Sequence, residues 1–185
     1  DFDKMLTTTI RSSFANQGQI CLCGSRIFVE RPIYEKFKTA FVEKVSRMKV
    51  GNPADGTTKM GAIVSQSHME KVLSYVDLAQ AEGGTVLTGG KQAIIAGECA
   101  NGWFIHPTVI EGLSYDCRTN QEEIFGPVVT IMPFDTEEEV LMMANSTKYG
   151  LASTVWTENL KKAHRMARDL HAGVVWINCW LLRDL

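Results

Sequence analysis

The chain has 185 residues, 45% of them hydrophobic and 22% charged, with a formal net charge of -2 at pH 7, which is enough length for one real core at the charge density of an ordinary soluble domain. So nearly neutral a chain has no positive field to gather nucleic acid or an anionic membrane surface, and its longest apolar run, 126–134, contains prolines and is far shorter than the ~20 residues a membrane-spanning helix needs. Five cysteines (Cys21, Cys23, Cys99, Cys117 and Cys179) are an odd, scattered set with no secretory leader before them and no zinc spacing among them, so a reducing, cytoplasmic setting and no metal are expected.

Taken in chain order, the apolar periods alternate between helix and strand, which predicts an α/β fold with an open, mostly parallel sheet and helices on both faces. A helix is expected up to about Ala15, then a turn through Gly18 and Cys21, then a strand over Arg26–Glu30. Pro32 can open the next helix, where Ile33, Phe37, Ala40, Phe41, Val45 and Met48 recur along one face. Gly51, Pro53 and Gly56 mark a loop. Met69, Val72, Val76 and Ala79 define a further helix that stops at Gly83-Gly84, ahead of a strand over 85–88. Residues 89–101 have few periodic apolar positions and are expected to form a mobile surface excursion. Order returns from Pro107, with a buried strand over 128–132. Thr136 then stands three residues before Glu139 as a capping box for a helix carrying Val140, Leu141 and Ala144. A strand over 151–156, a helix over 158–170 and a strand over 174–177 complete the alternation. No internal repeat or linker divides residues 1–185, so they are expected to form one domain.

Chemistry concentrates first at Asn16-Gln17-Gly18-Gln19-Ile20-Cys21. A cysteine reacts as thiolate, which needs solvent access and nearby N–H groups or positive charge, and Gly18 with Asn16, Gln17, Gln19, Ser25 and Arg26 offers a polar turn rather than an apolar core. Against this stands the common behaviour of free cysteine as a small buried hydrophobe. Asn16 can either cap the turn or line a pocket. Glu122 and Glu123 read on their own as an exposed pair before a strand. A cysteine–histidine hydrolase would need His68, His106, His164 or His171 beside Cys21, and nothing in the spacing requires it.

The string Phe14-Ala15-Asn16-Gln17-Gly18-Gln19-Ile20-Cys21 with Gly24-Ser25-Arg26 resembles the catalytic-cysteine signature of the aldehyde dehydrogenase superfamily. Glu122-Glu123-Ile124-Phe125-Gly126-Pro127 is similar to its second signature, and Asn145 with Tyr149-Gly150-Leu151-Ala152 to its third, all in the family's order and spacing. The resemblance implies that Cys21 is the nucleophile and its backbone N–H an oxyanion donor. It further implies that Glu123 holds the ribose hydroxyls of a nicotinamide cofactor (NAD), with Phe125 packed beside the ring. Residues 176–185 resemble the branch that oxidises 2-aminomuconate and 2-hydroxymuconate semialdehydes, where an arginine at the place of Arg183 grips the substrate carboxylate. A guanidinium's paired donors match that group. Asn178, at the end of an apolar strand, is a second substrate-facing candidate, with a strand-end turn as the alternative. His68 and Lys71 lie on a helix that touches the cofactor in relatives, but such residues are usually just solvated.

Set against the family, the chain corresponds to the cysteine-bearing catalytic domain alone. No Gly-x-Gly-x-x-Gly unit is present, nor the glutamate that serves relatives as general base, nor the C-terminal strand they use to pair subunits, and the chain begins at Asp1. A piece of a longer, homo-oligomeric enzyme acting on a small aldehyde is therefore expected, with a catalytically silent isolated module, or retinal or general aldehyde oxidation by the parent, as the alternatives. Gly61-Ala62 departs from the Gly-Pro usual in relatives.

Overall fold

The computed structural model describes residues 1–182. Helix α1, Phe2–Phe14, starts on the Asp1 carboxylate, which accepts from the Lys4 N–H at 3.0 Å and satisfies one of the donors a helix leaves open at its first turn. Strand β1 (Arg26–Glu30) runs into α2 (Arg31–Ser46), with Pro32 in its first turn. Helix α3 (Gln66–Ala81) is capped by Ser65, and β2 (Thr85–Thr88), β3 (Gln92–Ala93), β4 (Phe104–Ile105) and β5 (Thr108–Glu111) follow. The short α4 (Arg118–Gln121) precedes β6 (Val128–Phe134) and α5 (Glu137–Ala144). Strand β7 (Ala152–Val155), helix α6 (Leu160–Asp169) and strand β8 (Val174–Ile177) end the order.

The central sheet has the order β1-β6-β5-β2, with β6 parallel to both neighbours and β2 antiparallel to β5. Strand β6 is apolar without alternation because both of its faces are covered. Val129 and Ile131 pack with Leu6 and Phe14 of α1 and Phe37, Phe41 and Val45 of α2, whereas Val128 packs with Met69, Val72 and Val76 of α3. Strand β5 alternates likewise, Val109 to the first cluster and Ile110 to the second. Helices thus cover both faces of the sheet. Strand β5 ends opposite Ile131, so Pro133 falls where one side of β6 carries no ladder and a missing N–H is tolerated. Among the described residues no helix is long and apolar enough to cross a membrane.

Several expectations need correction. Strands β7 and β8 form a separate parallel pair rather than extending the central sheet. The excursion at 89–101 contains β3, paired with β4, and buries Ala93. Strand β5 was not foreseen, because its four residues carry no period of their own. Ile33, assigned to the apolar face of α2, is exposed. Met48 lies past the end of that helix yet still packs on its cluster. Thr136 caps α5 as expected, accepting from the Glu139 N–H at 3.1 Å, but the Glu139 carboxylate returns to the Asp135 N–H at 2.6 Å, one residue beyond a reciprocal capping box.

Candidate active site

Helix α1 stops at Phe14 because the chain leaves the right-handed region: Asn16, Gln17 and Gly18 have φ values of 49°, 59° and 70°. The Asn16 amide holds the turn by donating to the Gln19 carbonyl at 3.1 Å. Gln17, with its amide turned so that the oxygen accepts from the Gly61 N–H at 2.7 Å and the nitrogen donates to the Asn16 carbonyl at 2.9 Å, ties it to the loop before α3. The Gln19 carboxamide oxygen accepts from the Val64 N–H at 3.2 Å. Gly18 is buried, and a Cβ there would lie 2.5 Å from the carbonyl carbon of Gly126 and 3.0 Å from the nitrogen of Pro127. Glycine is required at this position for its conformation and for its closeness to another backbone.

Cys21 sits at the corner of the next turn, closed by the Cys23 N–H donating to the Ile20 carbonyl at 2.9 Å, and it is exposed. Cys23 is half-buried, with its sulfur 3.7 Å from the Ala15 carbonyl. Burial pushes the Cys23 thiol up; the Ile20 hydrogen bond works against the rise and negative charge at Cys21 adds to it. One turn therefore carries an accessible sulfur and a second that is held as thiol. The Arg26 guanidinium, expected to help polarise this neighbourhood, instead donates to the Met143 and Ala144 carbonyls at 3.2 and 3.0 Å and closes the C-terminus of α5.

The second motif crosses the base of the cysteine turn. Glu122 is not free: Arg118 donates to it through two nitrogens at 2.8 and 3.0 Å and the Tyr75 hydroxyl at 2.7 Å. The Arg118 and Tyr75 donors hold its carboxyl down to about 2. Glu123 points its carboxylate to solvent, while its carbonyl accepts from Lys71 Nζ at 2.9 Å. Phe125 adopts φ 58°, its carbonyl lies 2.7 Å from His68 Nε2, and the two rings meet edge to face at 6.3 Å. His68 Nε2 is thus committed to a backbone oxygen. These contacts leave no mark in the sequence, since His68 and Lys71 reach backbone atoms of a segment more than fifty residues away.

The remaining candidates are placed as follows. In the third motif the Asn145 amide donates to the Asp169 carbonyl at 2.9 Å and its oxygen accepts from the His171 N–H at 2.8 Å, so it fastens α5 to the α6–β8 connection. Asn178 has φ 56°, and both ends of its amide are spent on the Thr157 backbone at 2.9 and 2.8 Å, the strand-end turn weighed as its alternative. The chain then folds back, with Trp180 Nε1 donating to the Leu22 carbonyl at 3.0 Å and Trp176 Nε1 to the Leu182 carbonyl at 2.9 Å. The tail after β8 is thereby docked on the residue beside Cys21. Arg183 lies outside the described residues.

Asn16, Gln17, Gln19, Ala62, Val64 and Phe125 line an open cleft of about 410 Å³. A wall made of an aromatic ring beside carboxamides can meet the flat nicotinamide end of the cofactor implied above. Ala62 contributes to this wall.

Comparison with known proteins agrees with this geometry. Residues 1–185 match the Aldehyde dehydrogenase family. The chain is 49% identical over its whole length to a 2-aminomuconic 6-semialdehyde dehydrogenase of Pseudomonas sp., 49% identical to the 2-aminomuconic semialdehyde dehydrogenase of Homo sapiens, and 46% identical to a 2-hydroxymuconic semialdehyde dehydrogenase of Pseudomonas sp. (strain CF600); it spans 38% of the length of each. A betaine aldehyde dehydrogenase of Staphylococcus aureus, solved in complex with NAD+ and with a BME-modified cysteine, superposes with a TM-score of 0.94 at 40% identity over 99% of this chain and 37% of its own. An aldehyde dehydrogenase of Bacillus cereus in complex with NAD+ does so with a TM-score of 0.93 at 40% identity over 100% of this chain and 36% of its own. With three motifs in register, an exposed cysteine at the corner of its turn and a family match from the first residue to the last, the chain belongs to the aldehyde dehydrogenase family.

Proposed function

We propose that this chain is the cysteine-bearing catalytic domain of an NAD-dependent aldehyde dehydrogenase that oxidises a small semialdehyde carrying a carboxylate, of the 2-aminomuconate semialdehyde kind, to the corresponding acid. The observation that carries this reading is Cys21: an exposed sulfur on a turn locked, through Gly18 and Gly126, to the segment bearing Glu123 and Phe125. Thiolate attack on the aldehyde carbon forms a C–S bond and moves the carbonyl electrons onto oxygen, where the Cys21 N–H donates to the oxyanion. The bound nicotinamide supplies the acceptor for the hydride of that carbon. Glu123 would hold the ribose hydroxyls and Phe125 would support the ring; loss of the hydride re-forms the carbonyl as a thioester on Cys21, and water then adds to that carbon and breaks the C–S bond, its proton passing to the leaving thiolate as the acid is released. Arg183, three residues beyond Trp180, pairs with the distal carboxylate, and Asn178 shapes the turn that leads to it.

The semialdehyde class is supported by the names of the relatives compared above. We place the parent in the cytoplasm, consistent with five free cysteines, and as a homo-oligomer, for which exposed Leu151, just before β7, and Val174, at the start of β8, offer apolar surface. The test is a panel of 2-aminomuconate semialdehyde, 2-hydroxymuconate semialdehyde and retinal on the full-length protein. Reduction of NAD with the two muconate-type substrates and not retinal is expected; preference for retinal would overturn the substrate class. The isolated chain is read as catalytically silent, and turnover by it alone would overturn that reading.

A further inference from the structure

We infer that His68 is a positioning residue that sets Phe125, and with it Glu123, against the cysteine turn; this rests on the NAD-dependent reading above. Residues 122–127 belong to no strand or helix, so their backbone groups depend on partners outside the segment. The carbonyls of Glu123 and Phe125, two residues apart, are met by side chains of α3: Lys71 Nζ at 2.9 Å and His68 Nε2 at 2.7 Å. Between and beyond them the α3 surface presses on Gly126, where a Cβ would lie 2.6 Å from Val72 Cγ2. Positions 68, 71 and 72 fall on one helix face, so a single stripe of α3 holds the whole segment.

His68 itself is fixed at both ends. Its N–H donates to the Ser65 hydroxyl that caps α3, at 3.2 Å, and its ring is set edge-on to Phe125. Phe125 needs such a hold, because a non-glycine residue at φ 58° is strained and persists only where its surroundings over-determine it. Releasing the carbonyl frees the chain to leave the left-handed region, which swings the Phe125 ring out of the cleft wall and turns the Glu123 carboxylate with it. Cys21 stands on the other side of the Gly18–Gly126 contact and keeps its own turn. The effect of His68 is therefore expected on the cofactor and not on the thiol.

The test uses the full-length protein with His68→Leu, which deletes the donor, and His68→Gln, whose amide nitrogen can donate to the same carbonyl. Loss of one partly buried hydrogen bond corresponds to up to about a tenfold effect. In cofactor-free protein, His68→Leu is expected to speed amide hydrogen exchange across residues 123–126 by about that factor, and in turnover to raise the KM for NAD similarly. Its KM for aldehyde and the rate of Cys21 alkylation by iodoacetamide should stay within about twofold of wild type. His68→Gln should restore both the exchange and the KM for NAD, and Lys71→Met, at an exposed position, should show a smaller shift in the same direction should His68→Leu fail to fold. Unchanged exchange in His68→Leu, or equal losses in aldehyde KM and alkylation, would overturn the inference. Absence of NAD reduction by the wild type would instead overturn the proposed function, while the exchange measurement still decides whether the clamp exists.

Discussion

Replacing Gly18 with alanine should be far more damaging than its small size implies. Two costs add at this position. A left-handed φ of 70° is unfavourable for alanine by about 1–2 kcal/mol. The new Cβ would also stand 2.5 Å from the Gly126 carbonyl carbon and inside contact distance of its oxygen, a clash with backbone that no rotamer relieves, worth a further ~1–3 kcal/mol or more. Gly83→Ala supplies the control, because Gly83 has φ +92° with nothing within 4 Å of its Cβ position and so bears the conformational cost alone. Urea unfolding of both variants, followed by tryptophan fluorescence, should place Gly18→Ala lower than Gly83→Ala by about 1–3 kcal/mol. Iodoacetamide labelling of Cys21 should change in the first variant only. Equal destabilisation of the two would refute the claim that the cysteine turn is locked onto the second motif by this contact.

Other outcomes can be checked independently. At neutral pH iodoacetamide should label Cys21 before Cys23, read by mass spectrometry, since one is exposed and burial pushes the other thiol up. Asn120 is buried, accepts from the Thr130 hydroxyl at 2.6 Å and donates to the Ser114 carbonyl at 2.7 Å; Asn120→Leu should cost about 2–4 kcal/mol in denaturant unfolding by stranding both groups. Glu122, held at about 2 against an unfolded value near 4.5, contributes stability that is complete above pH 4.5 and lost as pH falls toward 2, and Tyr75→Phe should move its carboxyl titration, followed by NMR, upward. Arg183→Ala should weaken carboxylate-bearing semialdehydes by about 2–5 kcal/mol in kcat/KM while leaving plain aldehydes little changed.

The fold was legible where periodicity and punctuation coincide. Val72, Val76 and Ala79 at helical spacing, stopped by Gly83-Gly84, gave α3 within a few residues, and the unbroken run 128–132 gave a strand that is buried on both faces. Strands of two or four residues, such as β3, β4 and β5, carry too few positions to show a period and become strands only through their partners. The site was legible in its motifs but not in its wiring. Cys21 and Phe125 could be placed by resemblance, whereas the hold of His68 on the Phe125 carbonyl and of Trp180 on the Leu22 carbonyl joins residues 57 and 158 positions apart through backbone atoms that every residue possesses. Arg26 shows the opposite error: it reads as keeping the cysteine turn polar, yet the fold spends its guanidinium on the last carbonyls of α5.

The most direct measurement is the acylation of Cys21, the proposed nucleophile. Full-length protein mixed with NAD and 2-hydroxymuconate semialdehyde, then quenched in acid and digested, should yield the Cys21 peptide carrying the acyl mass, with Cys21→Ser giving neither that adduct nor NADH. NADH formation that survives in Cys21→Ser, or an adduct found on Cys23 instead, would contradict the account.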